Sequence, residues 1–280
     1  MVSPFGELLQ PARSSRGRQR IIPGNKGGGW VNANGIGSPS AQGGGGGPTD
    51  TCAAIDFTGA GYVDFGHEPT AQTGSFTAAC WFKADGTQGA TGYGSLFARA
   101  NNGVGGHNNW VTFLRTDGEL AFFVYHHPSG VSSIDGVGSV YDDGEWHSVV
   151  FVFSGDENGM KIYVDNILDA QTTPSNGTVF QGVGGPDKLI FGQHSLNVPG
   201  DYYYHGSSRT FQLSNEAWDT TKVAAWHNSG CPVMEDVGGN VVLFCKGNDN
   251  TGTTVTDSSG NGFDGEFVDT VAWEEDCPCP

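Results

Sequence analysis

Trp146-His-Ser-Val-Val-Phe-Val-Phe153 and Met160-Lys-Ile-Tyr-Val-Asp165 are two short apolar runs on either side of a turn around Asn158-Gly159. β-Branched and aromatic side chains fill both runs, and such shapes fit a pleated, half-buried surface. Asn-Gly tolerates the positive φ that a tight reversal requires, so the pair reads as an antiparallel hairpin. The same pattern repeats outward from it. Phe76-Thr-Ala-Ala-Cys-Trp-Phe-Lys83 sets Phe76, Ala78, Cys80 and Phe82 on one face. Trp110-Val-Thr-Phe-Leu-Arg115 and Leu120-Ala-Phe-Phe-Val-Tyr125 flank Asp117-Gly118, a second hairpin signal. Lys188 to Phe191, Thr210 to Leu213 and Val241 to Phe244 are further short strands. One helix is expected: Asp219 or Thr220 caps it, Lys222 to Asn228 continue it, and Gly230 followed by Pro232 stops it. Its Val223 and Trp226, three apart, face the sheet.

Composition supports an all-β chain. Glycine supplies 46 of 280 residues, more than twice the ordinary share of about 7 %. No window holds 18 consecutive apolar residues, which excludes a membrane-spanning helix. The glycines lack a three-residue period, which excludes collagen, and the low Ala/Glu/Lys/Leu/Arg content argues against a helical bundle. Short strands punctuated by polar glycine turns describe a two-sheet sandwich or a barrel, and the length suits one large domain.

The net charge of −17 is unevenly placed. Residues 1–50 carry Arg13, Arg16, Arg18, Arg20 and Lys26 against Glu7 and Asp50, a balance of +3. Residues 51–280 hold eight basic and 28 acidic groups, a balance of −20. An acidic body repels phosphate backbones, so nucleic acid is not its expected ligand. The leading segment, with 13 glycines including the run Gly43 to Gly47, buries too little apolar surface to fold alone. It reads as an extended basic arm that takes its order from a neighbouring chain or from its own body, with Phe5, Leu8, Leu9, Ile21, Ile22 and Trp30 as apolar anchors. Domains are therefore expected at 1–50, the arm, and 51–280, the sandwich.

The opening residues lack the apolar stretch of a signal peptide, so Cys52, Cys80, Cys231, Cys245, Cys277 and Cys279 are expected as free thiols, with a Cys231–Cys245 pair left open. Without a C-x-x-C pair, zinc has little support.

Several segments resemble one family. Ala54-Ile-Asp-Phe-Thr-Gly-Ala-Gly-Tyr-Val-Asp-Phe-Gly66 is similar to the opening strand pair of laminin G-like, concanavalin A-like domains, and Gly74 to Lys83 to their next strand. Asp143-Gly-Glu-Trp-His147, the run to Phe153 and Met160 to Asp165 resemble the family's most distinctive hairpin. Leu213-Ser-Asn-Glu-Ala-Trp218, the helix ending in His227-Asn-Ser-Gly230, and Asp257-Ser-Ser-Gly-Asn-Gly-Phe-Asp-Gly265 resemble its closing segments, which recur in phage structural proteins. The likeness spans about residues 53 to 268 and leaves the arm without a counterpart. Two positions depart from it: the family's Val-Asp-Gly turn reads Val164-Asp165-Asn166, and Ser208-Arg209 stands where an apolar–acidic pair is usual. The resemblance implies a two-sheet antiparallel jelly-roll sandwich with one short helix, binding carbohydrate or protein, sometimes with calcium. The Glu-x-Asp-x-x-Glu strand of related glycosidases is absent, and no Gly-x-Ser-x-Gly elbow occurs.

Candidate contact residues follow. Tyr202, Tyr203, Tyr204 and His205 form the leading patch, since exposed tyrosines stack on sugars and anchor interfaces; alternatively they line a strand face. His126 and His127, before Pro128, are a second loop candidate. Asp249, Asp257, Asn261 and Asp264 offer hard oxygens for calcium, or serve Asx turns. Trp146 reads as core and His147 as a turn group. The Asp-Gly-Glu triplets at 117–119, 143–145 and 264–266 straddle glycine turns rather than a cleft with paired carboxylates. Together these features point to a non-enzymatic accessory protein on the surface of a virion, made in the host cytoplasm. Its arm docks on other virion structural proteins while its body projects outward to bind host-surface glycan. A free-standing lectin and a polysaccharide-degrading enzyme are the alternatives.

Overall fold

The computed structural model describes residues 53–58, 60–67, 74–84, 86, 88–101, 109–126, 130–155, 159–172, 187–194, 202–229 and 236–276. The strands begin with β1 (Ala54–Phe57), β2 (Tyr62–His67), β3 (Phe76–Lys83), β4 (Tyr93–Asn101), β5 (Trp110–Arg115) and β6 (Leu120–Tyr125). They continue with β7 (Val131–Asp135), β8 (Trp146–Phe153), β9 (Met160–Val164), β10 (Ile167–Thr172), β11 (Asp187–Phe191) and β12 (Gly206–Ser214). After helix α1 (Thr220–Asn228) come β13 (Val241–Cys245), β14 (Thr254–Val255), β15 (Gly265–Val268) and β16 (Val271–Glu274).

Two antiparallel sheets result, as a jelly-roll sandwich requires. The first runs β10-β9-β8-β3-β12-β1-β16, and the second β14-β15-β2-β11-β4-β5-β6-β7. β12 is long enough to serve two neighbours along one edge: Gly206 to Ser208 pair with β1, and Phe211 to Ser214 with β13. Between these halves Thr210 adopts φ 53° at a register shift against β3, a bulge on a β-branched residue. Its hydroxyl donates to the Lys246 carbonyl, 3.1 Å.

Alternation fills the space between the sheets. Phe76, Ala78, Cys80 and Phe82 all lie in the core with Phe151 and Phe153. Phe191 of the second sheet meets Phe211 of the first at 4.6 Å between ring centroids, and Phe76 meets Trp110 at 4.9 Å. Such tilted and edge-on pairs add to what burial of the rings contributes. The Cys80 and Cys245 thiols are free and buried, while Cys52, Cys231, Cys277 and Cys279 lie outside the described residues.

The outer side of the first sheet is covered. Ala79, Trp81, Val150, Val152, Tyr163 and Phe244 pack beneath Trp218, Val223, Trp226 and Val237. Asp219 caps α1 by accepting from the Thr221 and Lys222 amides. Val223 and Trp226 are its buried residues, as three-residue spacing predicts. At the β9–β10 turn, Asp165 and Asn166 both take positive φ, 50° and 64°, so Asn does the work of the absent glycine. At β5–β6 the turn is one residue longer than the Asp-Gly dipeptide alone specifies: the Gly118 amide donates to the Arg115 carbonyl and the Arg115 amide to the Glu119 carbonyl. The expected arm, residues 1–50, lies outside the described residues.

Candidate functional site

The second sheet differs from the first in what its outer side carries. Because Trp110 and Leu114 point into the core, their neighbours Val111 and Phe113 point outward; Ala121, Phe123 and Tyr125 do the same on β6. On β4 a bulge sends both Leu96 and Phe97 inward, which brings Ser95 and Ala98, three apart, opposite Phe113 and Val111 on the outer side. Thr112 Oγ accepts from the Phe97 amide at that bulge, 2.9 Å. The resulting face has a buried floor of Ala98, Val111, Phe113, Ala121 and Ile190, rimmed by half-buried Tyr62, Tyr93, Phe123, Tyr125 and Tyr202.

Two loop residues complete it. The Ser95 amide donates to the Tyr202 carbonyl, 2.9 Å, and the Tyr204 amide to the Gly192 carbonyl, 3.0 Å, which fastens residues 202–204 beside β4 and the end of β11. The His194 ring then lies 5.4 Å from Phe113, nearly parallel, and 4.7 Å from Tyr202. Tyr202 also meets Phe113 at 6.1 Å and Tyr93 at 6.4 Å. At the far side Arg115 sits over the Tyr93 ring, 5.7 Å to its centroid, and pairs with Asp117 at 3.2 Å and Asp135 at 3.6 Å.

The aromatic groups of the face are uncharged. Burial pushes the His194 imidazole down to about 4, so it is neutral at ordinary pH. Burial, then the charge of Asp64, raises the Tyr62 phenol, and burial raises that of Tyr125. Lys188 is paired with Asp64. Among the described residues, three buried polar atoms here have no hydrogen-bond partner: Ser95 Oγ, Gln193 Oε1 and His194 Nδ1. Ser95 is fully buried and Gln193 is 6 % exposed. Atoms left in that state cost about 1–3 kcal/mol each.

The expected residues divide. Tyr202 lies on this face. Tyr203 is half-buried, and its hydroxyl accepts from Gln193 Nε2, 3.2 Å. Tyr204 does not belong to the contact patch: it is fully buried against Phe57 and Phe191, and its hydroxyl reaches the carbonyls of Lys83 (2.7 Å) and Ser207 (2.8 Å). His205 lines a separate cleft of about 300 Å³ with Asp56, Thr58, Lys83 and Gly206, its backbone held by Gln88. His126 is corrected as well: at 3 % exposure it is interior, with Nε2 2.8 Å from Ser132 Oγ. His127 lies outside the described residues, as do Phe5, Arg13, Arg16, Arg18, Arg20, Ile21, Ile22 and Trp30.

The oxygen donors proposed for calcium are used by the fold. Asp257 accepts from the amides of Phe244, Ser259 and Phe263 and from the Ser259 hydroxyl. Asp264 accepts from the Asp257 amide and Asp249 from that of Thr256, while Asn261 Nδ2 donates to the Val241 and Val242 carbonyls. Among the described residues no three His, Cys, Asp or Glu side chains gather as a metal site. These hydrogen bonds are those of Asx-turn staples. Trp146 Nε1 donates to Asp276, 3.3 Å, and His147 bridges Asp165 (2.7 Å) and Asp143 (3.2 Å), joining the β9–β10 turn to the loop before β8.

Phe113, Phe123, Tyr125, Tyr93, Tyr62, His194, Gln193 and Ser95 are the residues that strand reading alone passes over. A signal exists: β5 and β6 carry large side chains at both parities, so both of their faces are covered or sticky.

Residues 57–224 match the laminin G model described as the concanavalin A-like lectin/glucanases superfamily. No curated protein matches the sequence. Among solved structures, a candidate carbohydrate binding protein from Bacteroides ovatus is 13 % identical with a TM-score of 0.59, the match covering 80 % of this chain and 60 % of that one. The heptameric SAP-like pentraxin from Limulus polyphemus is 17 % identical with a TM-score of 0.56, covering 82 % and 98 %. The CBM40 of the Ruminococcus gnavus IT-sialidase, bound to α2,3 sialyllactose, is 16 % identical with a TM-score of 0.50, covering 61 % and 95 %. At such identities the likeness is one of fold, and this chain spans 60 % of the length of the Bacteroides ovatus protein.

Proposed function

The chain belongs to the concanavalin A-like lectin/glucanase superfamily, and on that premise we propose that it is a non-catalytic carbohydrate-binding sandwich whose ligand lies on the outer face of the second sheet. The observation that carries this reading is the Tyr202–His194–Phe113 stack, half open on a sheet face whose counterpart on the first sheet is roofed by α1. Aromatic rings exposed on one side give flat apolar platforms at low entropic cost, and their polar edges orient a polyhydroxyl ligand. The relatives support the direction: the Bacteroides ovatus structure is of a candidate carbohydrate binding protein, and the CBM40 holds a sialylated sugar. A glycan array probed with the whole chain tests it. Specific binding that weakens at least tenfold in Tyr202→Ala and Phe123→Ala is expected; a silent array, or binding indifferent to both changes, removes this face from consideration.

One further observation favours a second layer to this function. The +3 balance of residues 1–50 against −20 in the rest suits a tether to an acidic partner, and a virion structural protein is the partner proposed, with the sandwich displayed on the particle surface. Particles assembled with a chain lacking residues 1–48 are expected to lose the sandwich. Undiminished incorporation refutes the tether and leaves glycan binding untouched.

A further inference from the structure

We propose that the outer face of the second sheet takes uncharged sugar units and discriminates against sialylated or uronate-bearing chains. This rests on the glycan reading above and narrows it. Residues 51–280 contain only eight basic side chains against 28 acidic ones. Two of the eight stand on this face, and each is already paired with a carboxylate of the face itself. Arg115 is held by Asp117 and Asp135 and flattened on Tyr93, and Lys188 is held by Asp64. Arg99, on the adjoining β4, is 3 % exposed. Lys83, Lys161, Arg209 and Lys222 belong to the first sheet and its helix, and Lys246 follows β13.

The polar side chains beneath the face add no counter-charge. Gln193 Oε1 accepts and cannot donate, Ser95 Oγ does either, and His194 Nδ1 belongs to a neutral ring. None of these three groups carries the positive charge that a ligand carboxylate needs. A carboxylate placed here meets Asp64, Asp117 and Asp135 and competes with them for the two cations of the face. Rejection by unpaired and like-charged groups is the usual physical source of such selectivity.

Titration calorimetry on the full chain at low ionic strength, using the best neutral oligosaccharide from the array and the same chain capped with sialic acid over the reducing-distal galactose, tests the inference. The neutral sugar is expected to bind at least tenfold tighter, with the gap shrinking in 0.5 M salt as charges are screened. Asp64→Asn, which frees Lys188, is expected to improve binding of the sialylated chain. Equal or tighter binding of the sialylated chain overturns the selectivity while sparing the glycan reading. If array and calorimetry find no sugar of either class, the glycan reading itself fails and this inference with it.

Discussion

Tyr202 stacks on His194 with ring centroids 4.7 Å apart, and Phe113 closes the stack from the sheet side, 5.4 Å from the same imidazole. Two residues further on, Tyr204 is enclosed by Phe57 and Phe191 in the core. The segment is not a strand: it leaves the second sheet at the Tyr202 carbonyl and enters the first at Gly206, so positions of equal parity meet different surroundings.

On the proposed reading, the two tyrosines are expected to separate glycan binding from stability. Tyr204→Phe strips a buried hydroxyl from two carbonyls and is expected to cost about 1–2 kcal/mol in denaturant unfolding, with glycan affinity intact. Tyr202→Ala is expected to do the reverse, losing at least tenfold in affinity for about 1 kcal/mol or less of stability.

His194 makes stability depend on pH. Its folded value of about 4 lies below the ordinary 6.5 because burial disfavours the charged ring. The stabilisation is complete above pH 6.5 and is lost as pH falls through the folded value, because the unfolded chain binds the proton more readily. Chemical denaturation from pH 7 to pH 4 is expected to show a loss approaching 3 kcal/mol, absent in His194→Phe. An unchanged slope in that variant assigns the loss elsewhere.

His147 acts with the opposite sign. Burial pulls its pKa down, but the hydrogen bonds and charges of Asp165 and Asp143 outweigh it and leave the pKa raised. The two carboxyls, despite their own burial, are lowered, Asp165 by the His147 bond and the Ser148 amide, Asp143 by the Glu145 amide and His147. The histidine's contribution is whole below pH 6.5 and fades as pH rises through its folded value; the carboxylates' contribution is present above their ordinary 3.8 and fades as pH falls through theirs. The bridge is thus strongest between about pH 4 and 6.5. His147→Asn is expected to cost most near pH 5.5, within about 1 kcal/mol because Asp143 is exposed, and least near pH 9.

Asp257→Ala leaves three backbone amides without their acceptor and is expected to destabilise by about 2–4 kcal/mol. Since those oxygens serve the chain itself, millimolar calcium is expected to leave the melting temperature of the parent protein unmoved. A rise of several degrees would restore a cation to this loop.

Much of the sandwich was legible from local pattern. Period-two alternation in 76–83 placed Phe76, Ala78, Cys80 and Phe82 inside, and the Asp219 cap with Val223 and Trp226 located the helix on its sheet. These features depend on neighbours within a few residues. The aromatic outer face of the second sheet does not. Ser95 and Ala98 share a side only because a bulge inserts a residue between them, and His194 reaches Phe113 only because the Tyr202 and Tyr204 backbones pin two loops together.

Sequence alone determined that this chain is an acidic, glycine-punctuated β-sandwich, because strand alternation, caps and turns are written in contiguous residues. Tertiary structure decided which outer face stays open and which tyrosine meets solvent. Those outcomes depend on α1 roofing one sheet and on a crossover between the sheets, contacts between residues far apart in the chain that no local period encodes.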